Sequence, residues 1–72
     1  MTAHRPVLPA WTCGGCGSDW PCPTRRRELV AEYDRASVSL ALYLAAQLVD
    51  ATRDLAQVPA GSLHQRFLGW IR

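Results

Sequence analysis

Cys13-Gly14-Gly15-Cys16-Gly17-Ser18-Asp19-Trp20-Pro21-Cys22, preceded by His4, sets an imidazole and three thiols at the spacing H-x8-C-x2-C-x5-C. Thiolate sulfur and imidazole nitrogen are the donors a tetrahedral structural Zn2+ takes, and a two-residue gap lets one tight turn aim two sulfurs at a single ion. The glycines at 14, 15 and 17 suit the crowded backbone of such a turn. The reading is one structural Zn2+ per chain, held by His4, Cys13, Cys16 and Cys22. His64, Asp19 or water are the other choices for the fourth position; His4 is preferred because it lies a short arm away, whereas His64 would have to be carried back by a distant helix. His64 reads instead as a half-buried packing residue.

Outward from this stretch, the size of the chain makes a metal useful. In 72 residues a hydrophobic core alone rarely supplies more than about 3–5 kcal/mol, and a structural metal is one remedy. An odd cysteine count, with no basic-then-apolar export pattern at the start, argues against a secreted disulfide framework and for a reduced, cytoplasmic setting. No apolar run approaches the roughly 18 residues of a membrane span. A redox Cys-x-x-Cys would want a preceding strand and a following helix, and an iron–sulfur cluster usually takes four cysteines.

Residues 1–12 carry two prolines and no periodicity, so they read as an extended arm ordered by its anchors at His4 and Trp11. Pro23 suits a first helical position, and Leu29, Val30 and Tyr33 would form the inner face of a short helix ending near residues 34–37. Ser37 then reads as the N-cap of a long helix over about 38–57, one continuous bent helix being the alternative. On that helix Ser39, Tyr43, Gln47, Asp50, Asp54 and Gln57 collect into a narrow polar stripe. Nearly everything else on it is Leu, Val or Ala, which predicts a central element covered on several sides by the chain or by a partner. Pro59-Ala60-Gly61 breaks the pattern, and Ser62-Leu63-His64-Gln65 has the form of a capping box. A third helix of about nine residues should follow, docking through Leu63, Phe67, Trp70 and Ile71.

The expected architecture is a single domain, 1–72: a small, mostly α fold stapled by an N-terminal zinc knuckle, with arm and knuckle over 1–22 and three helices over 23–72, the second longest. Trp11 and Trp20 flank the cysteines and read as shields that dry the site, with base stacking or a partner hot spot as the functional alternative.

Net charge is +2, and all eight basic residues are arginine. Three bound thiolates and a divalent ion lower it by one unit, a field too weak to indicate nucleic acid by itself. Arg25-Arg26-Arg27 opposes the dipole of the helix it opens and can pair with Glu28, Glu32 or Asp19. With Arg5 it also carries the alternative reading, a zinc-finger-like nucleic-acid-binding regulator. No nucleophile–base constellation accompanies the cysteines, so no enzyme and no small-molecule substrate are expected. The preferred role is a non-catalytic protein-interaction or regulatory adaptor, partnered by another protein or by itself through the long helix.

His4-Arg5-Pro6, the string from Trp11 to Cys22, Leu40-Ala41-Leu42-Tyr43-Leu44-Ala45 and Arg66-Phe67-Leu68-Gly69-Trp70 together resemble a group of short actinobacterial Cys/His proteins often labelled flavin reductase. The likeness runs over nearly the whole chain and implies a small zinc-knuckle-like module, with His4 at the place of that group's histidine. About 70 residues without a nucleotide-binding Gly-rich turn cannot enclose both a flavin and a nicotinamide, so no activity is carried over with the label.

Overall fold

The computed structural model describes residues 3–71, so Met1 and Thr2 of the arm and the final Arg72 lie outside the described residues. The arm is not simply extended. Pro6–Val7 (β1) turns back and pairs antiparallel with Thr12–Cys13 (β2), Pro6 opposite Cys13 and Val7 opposite Thr12. Gly14 N–H donates to Arg5 O and Trp11 N–H to Val7 O, both at 2.8 Å, and Trp11 takes a left-handed φ of 56° to make the turn. On its other side the segment 11–13 is bonded to the end of the knuckle: Cys13 N–H reaches Ser18 O at 2.7 Å and Trp20 N–H reaches Trp11 O at 2.9 Å. The cysteine-bearing segment is therefore held from both edges, which fixes where its side chains point.

Pro23–Glu32 (α1) begins at proline, whose missing N–H would be an orphan donor in any case. Its N-cap is Cys22. Leu29 is buried and Tyr33 half-buried, but Val30, expected on the same inner face, is exposed. It lies about 100° around the helix from Leu29, and so short a helix reaches its neighbour along only a narrow line. The chain then breaks at Tyr33–Ala36, with Arg35 at φ 61°, so the continuous bent helix does not form.

Ser37–Asp54 (α2) is the longest helix. Ser37 is its first residue and not its cap; the cap is Ala36, whose carbonyl accepts from Leu40 N–H at 3.0 Å. The helix also stops three residues short of Gln57: Leu55 leaves the helical region at ψ 51°, and Pro59 disfavours helical geometry just beyond. Ala60–Leu68 (α3) starts two residues before the expected capping box, because Pro59 O already accepts from both Ser62 and Leu63 N–H. No side chain caps it. Its expected inner stripe holds, Leu63 and Phe67 being buried and Trp70 and Ile71 half-buried.

Two core clusters result. Trp11, Trp20, Cys13 and Cys22 pack with Ala51 of α2 and with Leu63 and Phe67 of α3; Leu29 packs with Leu40 and Leu44, and Leu68 touches both groups. Trp11 meets Phe67 edge to face, ring centroids 5.7 Å apart. The knuckle is thus one wall of the helical core. The chain covers α2 on part of its circumference only, and Val38, Leu42 and Val49 face outward.

Candidate metal centre

His4 precedes β1, Cys13 ends β2, Cys16 sits in the turn that follows, and Cys22 caps α1. Four short segments deliver four ligand atoms to one point: all lie within 4.8 Å of one another. His4 Nδ1 is 3.2 Å from Cys13 Sγ and 3.3 Å from Cys22 Sγ. A tetrahedral ion with metal–sulfur bonds of about 2.3 Å and a metal–nitrogen bond of about 2.0–2.1 Å places its donors about 3.5–3.8 Å apart. The observed cluster is within a few tenths of an ångström of that at its measured pairs, so the group can bind a metal. His64 is exposed on α3 and, like Asp19, is outside the cluster; its expected half-burial is not observed, because it lies on the solvent side of the Leu63–Phe67 stripe.

The turn explains its glycines. Gly17 holds φ 76° and donates to Cys13 O at 2.8 Å, closing the loop between the first two cysteines. At Gly15 the reason is space: a Cβ there would lie 2.9 Å from Ala3 O and 3.1 Å from His4 Nδ1. Gly15→Ala is therefore expected to push the imidazole off its position and weaken metal binding at least about tenfold, the lower range for disturbing groups that orient ligands. Competition against a chromophoric chelator measures this, and an unchanged affinity would contradict the close approach.

Amide hydrogen bonds surround the sulfurs. Gly15 N–H donates to Cys13 Sγ at 3.3 Å and Arg25 N–H to Cys22 Sγ at 3.4 Å. The Cys16 thiol is brought down to about 6 by the Ser18 amide and hydroxyl, against the opposing effect of burial. For Cys13 burial acts upward, but Gly15, His4 and Cys16 outweigh it and the thiol is lowered; for Cys22 burial dominates and the thiol is raised. Hydrogen bonds to Cys13 and Cys16 raise His4. Two of the three sulfurs are thus already biased toward the thiolate a metal takes.

Around this group the chain is locked to the helices by contacts that the sequence pattern did not reveal. Trp11 Nε1–H donates to Asp54 at 2.7 Å and Trp20 Nε1–H to Gln47 at 2.9 Å. The polar stripe of α2 therefore serves in part to receive the two buried indoles, which pack in one core cluster with Cys13 and Cys22. Arg66 of α3 donates from Nε to Trp20 O at 2.6 Å and from its guanidinium to Trp11 O, while lying over the Phe67 ring. Arg26 donates to Pro21 O at 2.9 Å and to Arg66 O at 3.2 Å. The only sign of this in the sequence is the lone basic residue among the apolar positions of the α3 stripe.

Arg25 pairs with Glu28 and Glu32, at 3.2 and 2.6 Å. Arg27 donates to Thr24 Oγ1 at 3.5 Å, so all three consecutive arginines have partners within the fold. No helix among the described residues is long and apolar enough to cross a membrane. Comparison with protein-family models, with curated proteins and with solved structures returned no match.

Proposed function

We propose that this is a structural-zinc protein that binds one Zn2+ per chain through His4, Cys13, Cys16 and Cys22 and acts in the cytoplasm as a non-catalytic protein-interaction or regulatory adaptor. The convergence of three sulfurs and one nitrogen, with Cys13 and Cys22 packed in a core shared with α2 and α3, carries the reading. Sulfur-rich tetrahedral donor sets favour zinc over the hard cations, and four protein ligands complete its shell without a position for substrate. The reading includes kinship with the short actinobacterial Cys/His proteins that the chain resembles. Engagement of Arg25 and Arg26 inside the fold weighs against the nucleic-acid alternative.

Native mass spectrometry of protein purified without added metal tests the site directly. The expected species carries one zinc per chain and loses it to a strong chelator. His4→Ala is expected to lower zinc affinity while His64→Ala leaves it unchanged; the reverse result would move the fourth ligand, and a metal-free chain with native helicity would remove the zinc reading.

A further inference from the structure

The three sulfurs of the metal centre differ in what can reach them. Cys13 is 2 % and Cys22 0 % exposed, whereas Cys16 stands exposed in the turn after β2. They differ also in how they are held. Cys13 is bonded through its N–H to Ser18 O and through its carbonyl to the Gly17 amide, and Cys22 caps α1 by accepting from the Arg25 amide. Cys16 belongs to neither a strand nor a helix. Its sulfur nevertheless lies within 4.8 Å of the Cys13 sulfur. A disulfide asks for Cα atoms about 4.4–6.8 Å apart, and residues three apart across a turn come within about 7 Å of each other. A reagent arriving from solution therefore meets one sulfur first, and that sulfur has a second within reach.

We infer that the metal centre is an oxidant-operated switch: a peroxide from solution oxidises Cys16, Cys13 closes a disulfide onto it, and the ion is released. In the first step the Cys16 thiolate attacks one peroxide oxygen. The S–O bond forms as the O–O bond breaks, hydroxide leaves, and Cys16 becomes a sulfenic acid. The Cys13 thiolate then attacks that sulfur, the S–S bond forms as the S–O bond breaks, and a second hydroxide leaves. Two solvent protons turn both hydroxides into water, and the two electrons that reduce the peroxide come from the two sulfurs. Cys13 is the resolving partner because the exposed turn can bring Cys16 to it while the strand stays in place. Using Cys22 instead would draw a fully buried sulfur away from the cap of α1.

Oxidation reaches the helices through the packing already described. A metal takes cysteine as thiolate, so a Cys13–Cys16 disulfide removes two of the four donors and leaves only His4 and Cys22. Cys13 and Cys22 share a core cluster with Trp11 and Trp20, and these indoles are bonded to Asp54 and Gln47 of α2. Arg66 of α3 holds the carbonyls of the same two tryptophans. Loss of the ion is thus transmitted to the helical surface that an adaptor presents, and a thiol reductant with fresh zinc resets it. The inference deepens the zinc-adaptor role proposed above, as regulation of the same site, and rests on it.

The test starts from the full chain as purified, its zinc content read by native mass spectrometry, and adds stoichiometric hydrogen peroxide in the presence of a chromophoric chelator. The expected result is release of the zinc together with a mass loss of two hydrogens. Peptide mapping should join Cys13 to Cys16 and leave Cys22 open to alkylation, and dimedone present during the reaction should tag Cys16 as its sulfenic acid. Helicity lost on oxidation should return with a thiol reductant and zinc. Zinc-loaded Cys16→Ser should keep its metal under the same dose; should that variant fail to hold zinc, the dimedone tag on the wild-type chain decides which sulfur reacts first. Zinc retained by the oxidised protein, a disulfide that includes Cys22, a first tag on Cys13 or Cys22, or a change that reductant and zinc do not reverse overturns the switch and leaves the zinc site standing. A chain that carries no zinc before peroxide is added removes both.

Discussion

Removing the metal, or replacing Cys22 by serine, is expected to unfold the knuckle and to dissolve most of the helical packing with it. Cys22 is fully buried, supplies one of the four converging atoms and caps α1 through the Arg25 amide. A structural zinc contributes on the order of 10–16 kcal/mol of apparent binding energy in small peptides, against about 3–5 kcal/mol from a core of this size. The two terms are not separable here, because Trp11 and Trp20 form part of the same cluster as Leu63 and Phe67. Far-ultraviolet circular dichroism and tryptophan emission, followed as a chelator is added, should show loss of helix and reddening of the indoles together. Cys16→Ser should be milder, since that sulfur is exposed whereas Cys22 is buried and also caps α1. Acid should reproduce chelation: ligands must shed protons to bind, so zinc retention and the stability tied to it fall as pH is lowered. Helicity and emission unmoved by complete zinc removal would show that the helices stand alone.

Replacing Arg66 by alanine should have the next largest effect. Its guanidinium bonds the carbonyls of both knuckle tryptophans from the far end of the chain. Hydrogen bonds made by charged groups are worth about 1.5–3 kcal/mol each, and a carbonyl left unpaired in partial burial adds to the loss. A total of about 3–5 kcal/mol lowers the melting temperature of a domain this size by at least about 12 °C. Arg66→Lys should recover only part of this, because an ammonium cannot present the forked donor geometry to two carbonyls. The control is Arg53→Ala, which breaks an exposed pair with Asp50 and should change stability by no more than about 0.5 kcal/mol. A melting temperature within a few degrees of wild type for Arg66→Ala, in metal-loaded protein, would refute the tether.

How much could be read beforehand differs element by element. The knuckle was legible because a metal site demands particular atoms at particular spacings, and few other uses account for three cysteines interleaved with glycine. Helix identity followed from periodicity, and Pro23 marked the start of α1 because it acts through its own ring. Boundaries were less legible. The caps expected at Ser37 and Ser62 failed because the carbonyls of Ala36 and Pro59 were positioned by turns upstream, and a serine cannot cap a helix that has already begun. The polar stripe of α2 was visible as a stripe, but not as the receptor for two indoles, since Gln47 and Asp54 acquire that meaning only when Trp20 and Trp11, 27 and 43 residues away, are folded against them.

Sequence by itself determined the local matters: which four residues are suited to one ion, that three helical segments follow, and that the second is longest. Their chemistry is carried in side chains and in spacings short enough for the backbone to enforce. Tertiary structure alone decided which side of α2 was buried, that Arg66 would join α3 to the knuckle, and that Val38, Leu42 and Val49 would remain in water. Those outcomes depend on how three short elements share a limited surface, a competition among contacts far apart along the chain that no local pattern records.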